Sequence, residues 1–169
     1  MEVVMGPDSI REERLSRLMA QYKTDLLRMC YVYLQDASLA EDAVQETFVK
    51  AYKYMDSFRA ESSEKTWLMR IAINACKDLR RASWFRFVDR NVTLESIPAP
   101  KQELSNEDES LMIEIMKLPR KLMVVVLLYY YQEMSVKEIA ASLGIAASTV
   151  STRLKRARGK LRVALEGGL

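Results

Sequence analysis

The sequence predicts an all-α protein of two small helical domains joined by an acidic flexible linker, with a helix-turn-helix in the C-terminal domain. Three observations predict it. Apolar residues recur at helical spacing along most of the 169 residues. Gly (5) and Pro (4) are scarce, which disfavours a β-rich or disordered chain. The helical pattern breaks at Ile97-Pro98-Ala99-Pro100, which cannot be a helix interior. Around that break, Glu95, Glu103, Glu107, Asp108 and Glu109 face a single base, Lys101. The chain thus divides into 1–90, a linker 91–109, and 110–169. The linker's prolines and charges suggest domains that move independently unless clamped.

Residues 1 to 8 read as a frayed terminus. Ser9 with Glu12 forms a possible capping box for a long helix, about 10–35, with Leu15, Leu18, Met19, Tyr22, Leu26, Met29, Cys30 and Tyr33 at helical spacing. After a short connection at Gln35 to Ala37, Ser38 and Glu41 make another box. The second helix, about 39–55, buries Ala40, Ala43, Val44, Phe48, Ala51, Tyr52 and Met55. Its other side carries Glu41, Asp42, Gln45, Glu46, Val49 and Lys53, which periodicity alone reads as solvated surface. A polar loop, Ser57 to Glu64, holds one aromatic residue, Phe58.

Ser63 caps the third helix, about 64–82, whose core side is Leu68, Ile71, Ala72, Ala75 and Leu79. Arg70, Asn74, Lys77, Asp78 and Arg81 lie opposite. Asn, Lys and Arg in a row are residue types that contact bases and phosphates, though alone they are a weak signal. Trp84, Phe85 and Phe87 suit either stacking on bases or capping of the first domain's core.

The second domain opens with a short helix bearing Leu111, Ile115 and Leu118. Pro119 then suits the first position of the next helix. Leu122 to Tyr131 is ten residues without a charge, too short to span a bilayer. Val and Tyr favour a strand, but the charged flanks suit a helix of three turns. A helix apolar all round must be buried, here against the helix-turn-helix on one side and a partner on another.

The helix-turn-helix itself is Ser135 to Arg162. Ser135 with Glu138 is a capping box, Ile139, Ala140 and Leu143 give an apolar face, and Gly144 supplies the turn. Ser148 caps the second helix, with Val150, Leu154, Ala157 and Leu161 inward. Ser151, Thr152, Arg153, Lys155, Arg156 and Arg158 face away. Arg153 to Arg162 holds six bases and no acid, as a recognition helix with a phosphate-binding tail requires. The bland alternative is a solvated helix ending in cations that suit its dipole.

Composition excludes several functions. Without histidine there is no Ser-His-Asp triad and no His-containing zinc site. No catalytic constellation, metal site or cofactor motif is expected, so the chain reads as a non-enzyme with no small-molecule substrate. Cys30 and Cys76 fall in apolar helical patterns and read as reduced, packed thiols. No signal peptide or membrane span is visible, which predicts a soluble cytoplasmic protein. Net charge is only +3, so basic character acts by location.

Four stretches then carry a resemblance. They are Ala40 to Tyr52, Phe58 through Lys65-Thr66-Trp67-Leu68 to Asp78, Leu118-Pro119-Arg120, and Ser135 to Arg158 with Glu138-Ile139-Ala140, Thr149-Val150 and Arg153 to Arg158. In this order they resemble the extracytoplasmic-function sigma factors, the two-domain bacterial sigma factors, over about residues 14–163. The resemblance implies a promoter-specificity subunit that recruits core RNA polymerase and assists promoter melting without ATP.

It gives Asp42, Gln45, Glu46 and Lys50 to the polymerase clamp. It gives Phe58, Arg59 and Lys65 to a pocket for an unstacked base of the minus-ten element, and Asn74, Lys77 and Arg81 to the adjoining DNA. Ser148, Thr149, Ser151, Thr152, Arg153, Lys155, Arg156 and Arg158 would read the minus-thirty-five element, with Lys160 on phosphate. The linker acids would mimic nucleic acid in the polymerase's RNA-exit path. An anti-sigma inhibitor, in this family often membrane-bound, is also implied.

Two departures stand out. Ser148 replaces the family's usual Gly, and Leu122-Met123 replaces a Tyr-Arg pair, which predicts a greasier helix surface available to an anti-sigma protein or the polymerase flap. The competing readings are a self-sufficient, dimeric helix-turn-helix regulator and a helical adaptor that binds no DNA.

Overall fold

The computed structural model describes residue 4 and residues 6–82 and 106–167. Within them run seven α-helices: α1 (Pro7–Leu34), α2 (Ala37–Lys53), α3 (Glu64–Ala82), α4 (Asn106–Met116), α5 (Arg120–Val126), α6 (Val136–Leu143) and α7 (Ala147–Glu166). The first three form one domain and the last four the other. Trp84, Phe85, Phe87, the Pro98 and Pro100 break and the linker acids Glu95 and Glu103 lie outside the described residues.

α1 and α2 form an antiparallel pair, as the short Gln35-Asp36 connection requires, and α3 packs on both. Leu18, Leu26, Ala40, Ala43, Ala51, Leu68, Met69 and Ala72 are fully buried between them. The alanines let the backbones approach, and the larger side chains each contribute roughly 1.5–3 kcal/mol by leaving water. Cys30 and Cys76 are free, buried and in contact across α1 and α3. The Cys76 thiol is held far above its ordinary range by its hydrogen bond with Cys30 and by burial, so it stays protonated.

The helix starts differ from the sequence reading. α1 begins at Pro7 after a Gly6 N-cap with no side-chain cap, so Ser9 is inside the helix and Pro7-Asp8 belong to it. Proline's fixed φ and missing N–H make it a natural first residue. α2 is capped by Asp36, whose carboxylate accepts from the Leu39 amide at 2.9 Å, and not by Ser38. Gln35, at φ 54°, turns the chain between the two helices. α2 stops at Lys53 and Met55–Ser57 follow as a 3-10 turn. Ser63 does cap α3, through the Thr66 amide at 3.1 Å. Asn106 to Glu109, read as the end of the linker, form the first turn of α4. An acid-rich start suits the positive end of a helix.

α5 is helical as predicted. Pro119 stands just outside it as the N-cap, its carbonyl accepting from Leu122 and Met123 at 2.9 and 3.0 Å. The helix continues as a π-helical turn, Leu127–Tyr131. Leu122 to Leu128 are all buried. They are covered by α7, α4 and, on the far side, α1 of the same chain. The expected outside partner is therefore the first domain, and Leu122-Met123 is core, not a surface for an inhibitor or the flap.

The two domains are clasped. Arg120 Nε donates to the Tyr33 carbonyl at 2.7 Å, and its guanidinium lies 5.7 Å from the Tyr33 ring centre. α6 packs against α3. Met69 and Ile73 of α3 are buried too, outside the core stripe read from sequence. The linker suggests domains that move independently unless clamped, and here Arg120 and the α6–α3 packing hold them together.

α6 opens with both halves of its capping box: the Glu138 amide donates to Ser135 Oγ (3.1 Å) and the Ser135 amide to Glu138 Oε2 (2.9 Å). It closes on Gly144 at φ 66°. Nothing lies within 4 Å of a methyl placed on Gly144. Its requirement is therefore conformational. Gly144→Ala should lower stability by about 1 kcal/mol, the cost of a left-handed alanine, with Gly144→Asn costing less. Urea unfolding of the two variants measures the difference.

Candidate nucleic-acid interface

α7 is anchored by Val150, Leu154 and Ala157, which are buried, and Leu161, which is half-buried. That register turns Ser148, Ser151, Thr152, Lys155 and Arg156 fully outward and leaves Arg153 and Thr149 half-exposed at the edge. Ser148 does not cap the helix. Ala146 is the N-cap, with no side-chain bond, so Ser148 lies in the first turn with its hydroxyl outward. Its carbonyl accepts from Thr152 Oγ1 at 2.9 Å. No acid occurs from Ser148 to Arg162, so the exposed face is cationic throughout.

Arg158 is the exception within the set. Its Nε donates to Tyr130 Oη at 2.6 Å, and its guanidinium lies over the rings of Tyr129 and Tyr130. Periodicity carries no sign of this tie, because it does not report the π-turn that aims the tyrosines.

On the first domain, Asn74 and Arg81 of α3 are exposed and Lys77 half-exposed, along one line. Lys77, Arg80 and Arg81 line a shallow cationic cleft beside Tyr33, next to the Arg120 clasp. Arg59 is exposed, and Lys65 and Phe58 are half-buried. Phe58 is not a free stacking ring. It packs on Trp67 with centroids 5.1 Å apart, and Arg14 of α1 lies 5.4 Å from its centre. Glu64 then pins the loop to α1, pairing with Arg17 at 2.7 Å and Arg14 at 3.6 Å.

On α2, Asp42, Gln45 and Glu46 are exposed and, with Lys50, line a groove of ≈ 560 Å³ against Ala75, Asp78 and Leu79 of α3. Lys50 bridges Glu46 at 3.5 Å and Asp78 at 3.9 Å. Beside it, α1 and α2 leave an apolar groove lined by Leu15, Met19, Leu27, Val44, Phe48 and Val49. Val49 is 57% exposed amid polar neighbours, a signal present in the sequence but read there as surface. Among the described residues no group of His, Cys, Asp or Glu could hold a metal ion, and no helix is long and apolar enough to cross a membrane.

Two helical domains, one ending in a capped helix-turn-helix with a cationic outer face and the other exposing a polar, basic helix, define a DNA-binding transcription protein of two faces. Residues 18–86 match the family model of sigma-70 region 2, and residues 109–161 that of sigma-70 region 4. The chain is 35% identical over 155 residues to the ECF RNA polymerase sigma factor SigW of Bacillus subtilis, covering 83% of each chain. It is 32% identical over 162 residues to the ECF RNA polymerase sigma-E factor of Salmonella typhimurium, covering 87% of this chain and 84% of that one. Among solved structures it superposes on CnrH, in complex with the cytosolic domain of CnrY, with a TM-score of 0.66 and 29% identity over 92% of this chain and 90% of the other. The sigma factor RpoE of Bartonella quintana, in complex with the anti-sigma factor NepR, shares the fold with a TM-score of 0.73 at 24% identity, over 92% and 98%.

The chain belongs to the extracytoplasmic-function sigma factors, and it is an alternative sigma factor. Both matched regions are those of transcription-initiation factors, and neither belongs to a catalytic family. The match of residues 18–86 sets aside a self-sufficient regulator with an unrelated first domain.

The Glu64 pairing makes the loop's stability depend on pH. Its hydrogen bond from Arg17 holds the Glu64 carboxyl below the ordinary glutamate range, against a smaller opposing effect of burial. Such a group stabilises the fold above the unfolded value, about 4.3, and the contribution is lost as pH falls through the folded value. Glu64→Gln should cost about 0.5–1 kcal/mol at neutral pH, an exposed-pair magnitude. The gap should close as pH falls from about 5 toward 2 in urea unfolding.

Proposed function

We propose that the protein grips a promoter at two points while docked on core RNA polymerase. The observation that carries this reading is the outward face of α7, cationic and free of acid, on a helix-turn-helix whose cap, turn and core fix its register. In this reading α7 enters the major groove of the minus-thirty-five element. Lys155, Arg156 and Arg153 reach base edges, and Ser148, Thr149, Ser151, Thr152 and Lys160 hold phosphates.

Asn74, Lys77 and Arg81 of α3 sit on the minus-ten DNA, with Arg59 and Lys65 at the loop where a base is extruded. Extrusion costs a few kcal/mol, offset by contacts in the loop. Phe58, held by Trp67 and Arg14, shapes that pocket's wall. Melting uses binding energy alone, with no cofactor. Asp42, Gln45, Glu46 and Lys50 receive the polymerase clamp.

The working units are 1–90 and 106–169 joined through 91–105, and the protein works in the cytoplasm. An inhibitory protein of the anti-sigma class, membrane-bound or soluble, is proposed as its regulator. The CnrH–CnrY complex, on a chain 29% identical, supports a protein partner for this fold.

Run-off transcription with purified, verified core polymerase over a genomic template pool tests the function, and absence of promoter-dependent transcripts overturns it. Two variants test the two grips. Lys155→Ala with Arg156→Ala should weaken binding to the upstream element by roughly tenfold or more, at about 1–3 kcal/mol per base contact. Association with core, followed by gel filtration, should stay intact. Asn74→Ala with Lys77→Ala should leave upstream binding unchanged and reduce permanganate reactivity of thymines at the minus-ten element; wild-type reactivity would remove α3 from promoter opening.

A further inference from the structure

We infer that Tyr130 and Arg158 form a phosphate clamp on the flank of α7, with Tyr130 as the residue that positions the guanidinium. The inference rests on the placement of α7 on promoter DNA and deepens it. The π-helical turn Leu127–Tyr131 sets the Tyr129 and Tyr130 rings edge to face, 4.9 Å apart and at 78°. An extra residue in a helical turn re-aims the side chains that follow, and such turns collect at functional sites.

Here the turn brings Tyr130 Oη within 2.6 Å of Arg158 Nε and both ring centres within 5.8 Å of the guanidinium. Nε donates to the phenol oxygen, so the two terminal nitrogens keep their N–H donors and the phenol keeps its own proton to give. Tyr130 is 50% exposed, so these donors meet solvent. Among the described residues no carboxylate pairs with Arg158. Its charge is oriented by neutral rings and is left for an outside anion.

Position on the helix says which anion. Ser151, Lys155 and Arg158 are spaced four and three apart and share one strip of α7. Recognition helices read bases with their N-terminal residues, and Arg158 follows Ser151 by seven positions, two turns farther along α7, where the helix passes the DNA backbone. An arginine fork held in one orientation matches two phosphate oxygens, and fixing it beforehand removes entropy that binding would otherwise lose. A structural tie between the turn and α7 is the competing use of the same contact. It makes no prediction about salt.

The test uses the holoenzyme and a promoter that it transcribes, with binding measured from low to moderate salt. Tyr130→Phe removes the hydroxyl and keeps the ring. It should leave the melting temperature unchanged, weaken binding three- to tenfold and lower the slope of log affinity against log salt by up to about 0.9, the value for one phosphate. Arg158→Ala should lose at least as much, and adding Tyr130→Phe to it should cost nothing further. Arg158→Lys should keep the slope and lose sensitivity to Tyr130→Phe. Wild-type affinity and slope in Tyr130→Phe, or a wild-type slope in Arg158→Ala, overturns the clamp. If Lys155→Ala and Arg156→Ala are also without effect, the placement of α7 on DNA falls and the clamp falls with it.

Discussion

The second domain depends on one burial. Seven consecutive residues, Leu122 to Leu128, have no charge and no solvent. A helix of that kind must be wrapped on all sides, and α7, α4 and α1 do the wrapping. Through α7 this burial helps fix which residues face out, because α7 packs on α5 as well as on α4 and α6 and buries Val150, Leu154 and Ala157. Through α1 it draws the first domain against the second. The recognition face and the closed shape thus share one cause.

The closure rests on the packing of α6 against α3 and of α5 against α1. Its named polar bond is Arg120 to the Tyr33 carbonyl, with the ring below. Among the described residues, Ser142 Oγ on α6 and Gln132 Oε1, after the π-turn, are buried without protein partners. An unsatisfied buried group costs about 1–3 kcal/mol, and each regains its hydrogen bonds in water. Arg28 of α1 is half-buried too, and desolvation lowers its pKa despite Asp25 and Tyr131 nearby.

Much of the site was legible because its signals are local. The Ser135–Glu138 box, Gly144 and the inward strip of α7 depend on residues within four positions of each other, and all hold in three dimensions. Ser148 does not cap because Ala146 already ends the extended segment, so the helix starts two residues earlier. The resemblance gives Phe58 and Arg158 to DNA, and each also meets a neighbour distant in sequence: Trp67 and Arg14 for one, Tyr130 for the other. No periodicity reports such pairs.

The sequence by itself determined the all-helical class, the two helical units, the position of the helix-turn-helix and the sign of its outer face. These follow from hydrophobic spacing, caps and charge order, which act over a few residues. Tertiary structure decided what covers α5, how Arg120 clasps Tyr33, which face of α3 remains open and where the tyrosines hold Arg158. Those outcomes depend on packing between helices far apart in the chain, where the burial of apolar surface outweighs local preference.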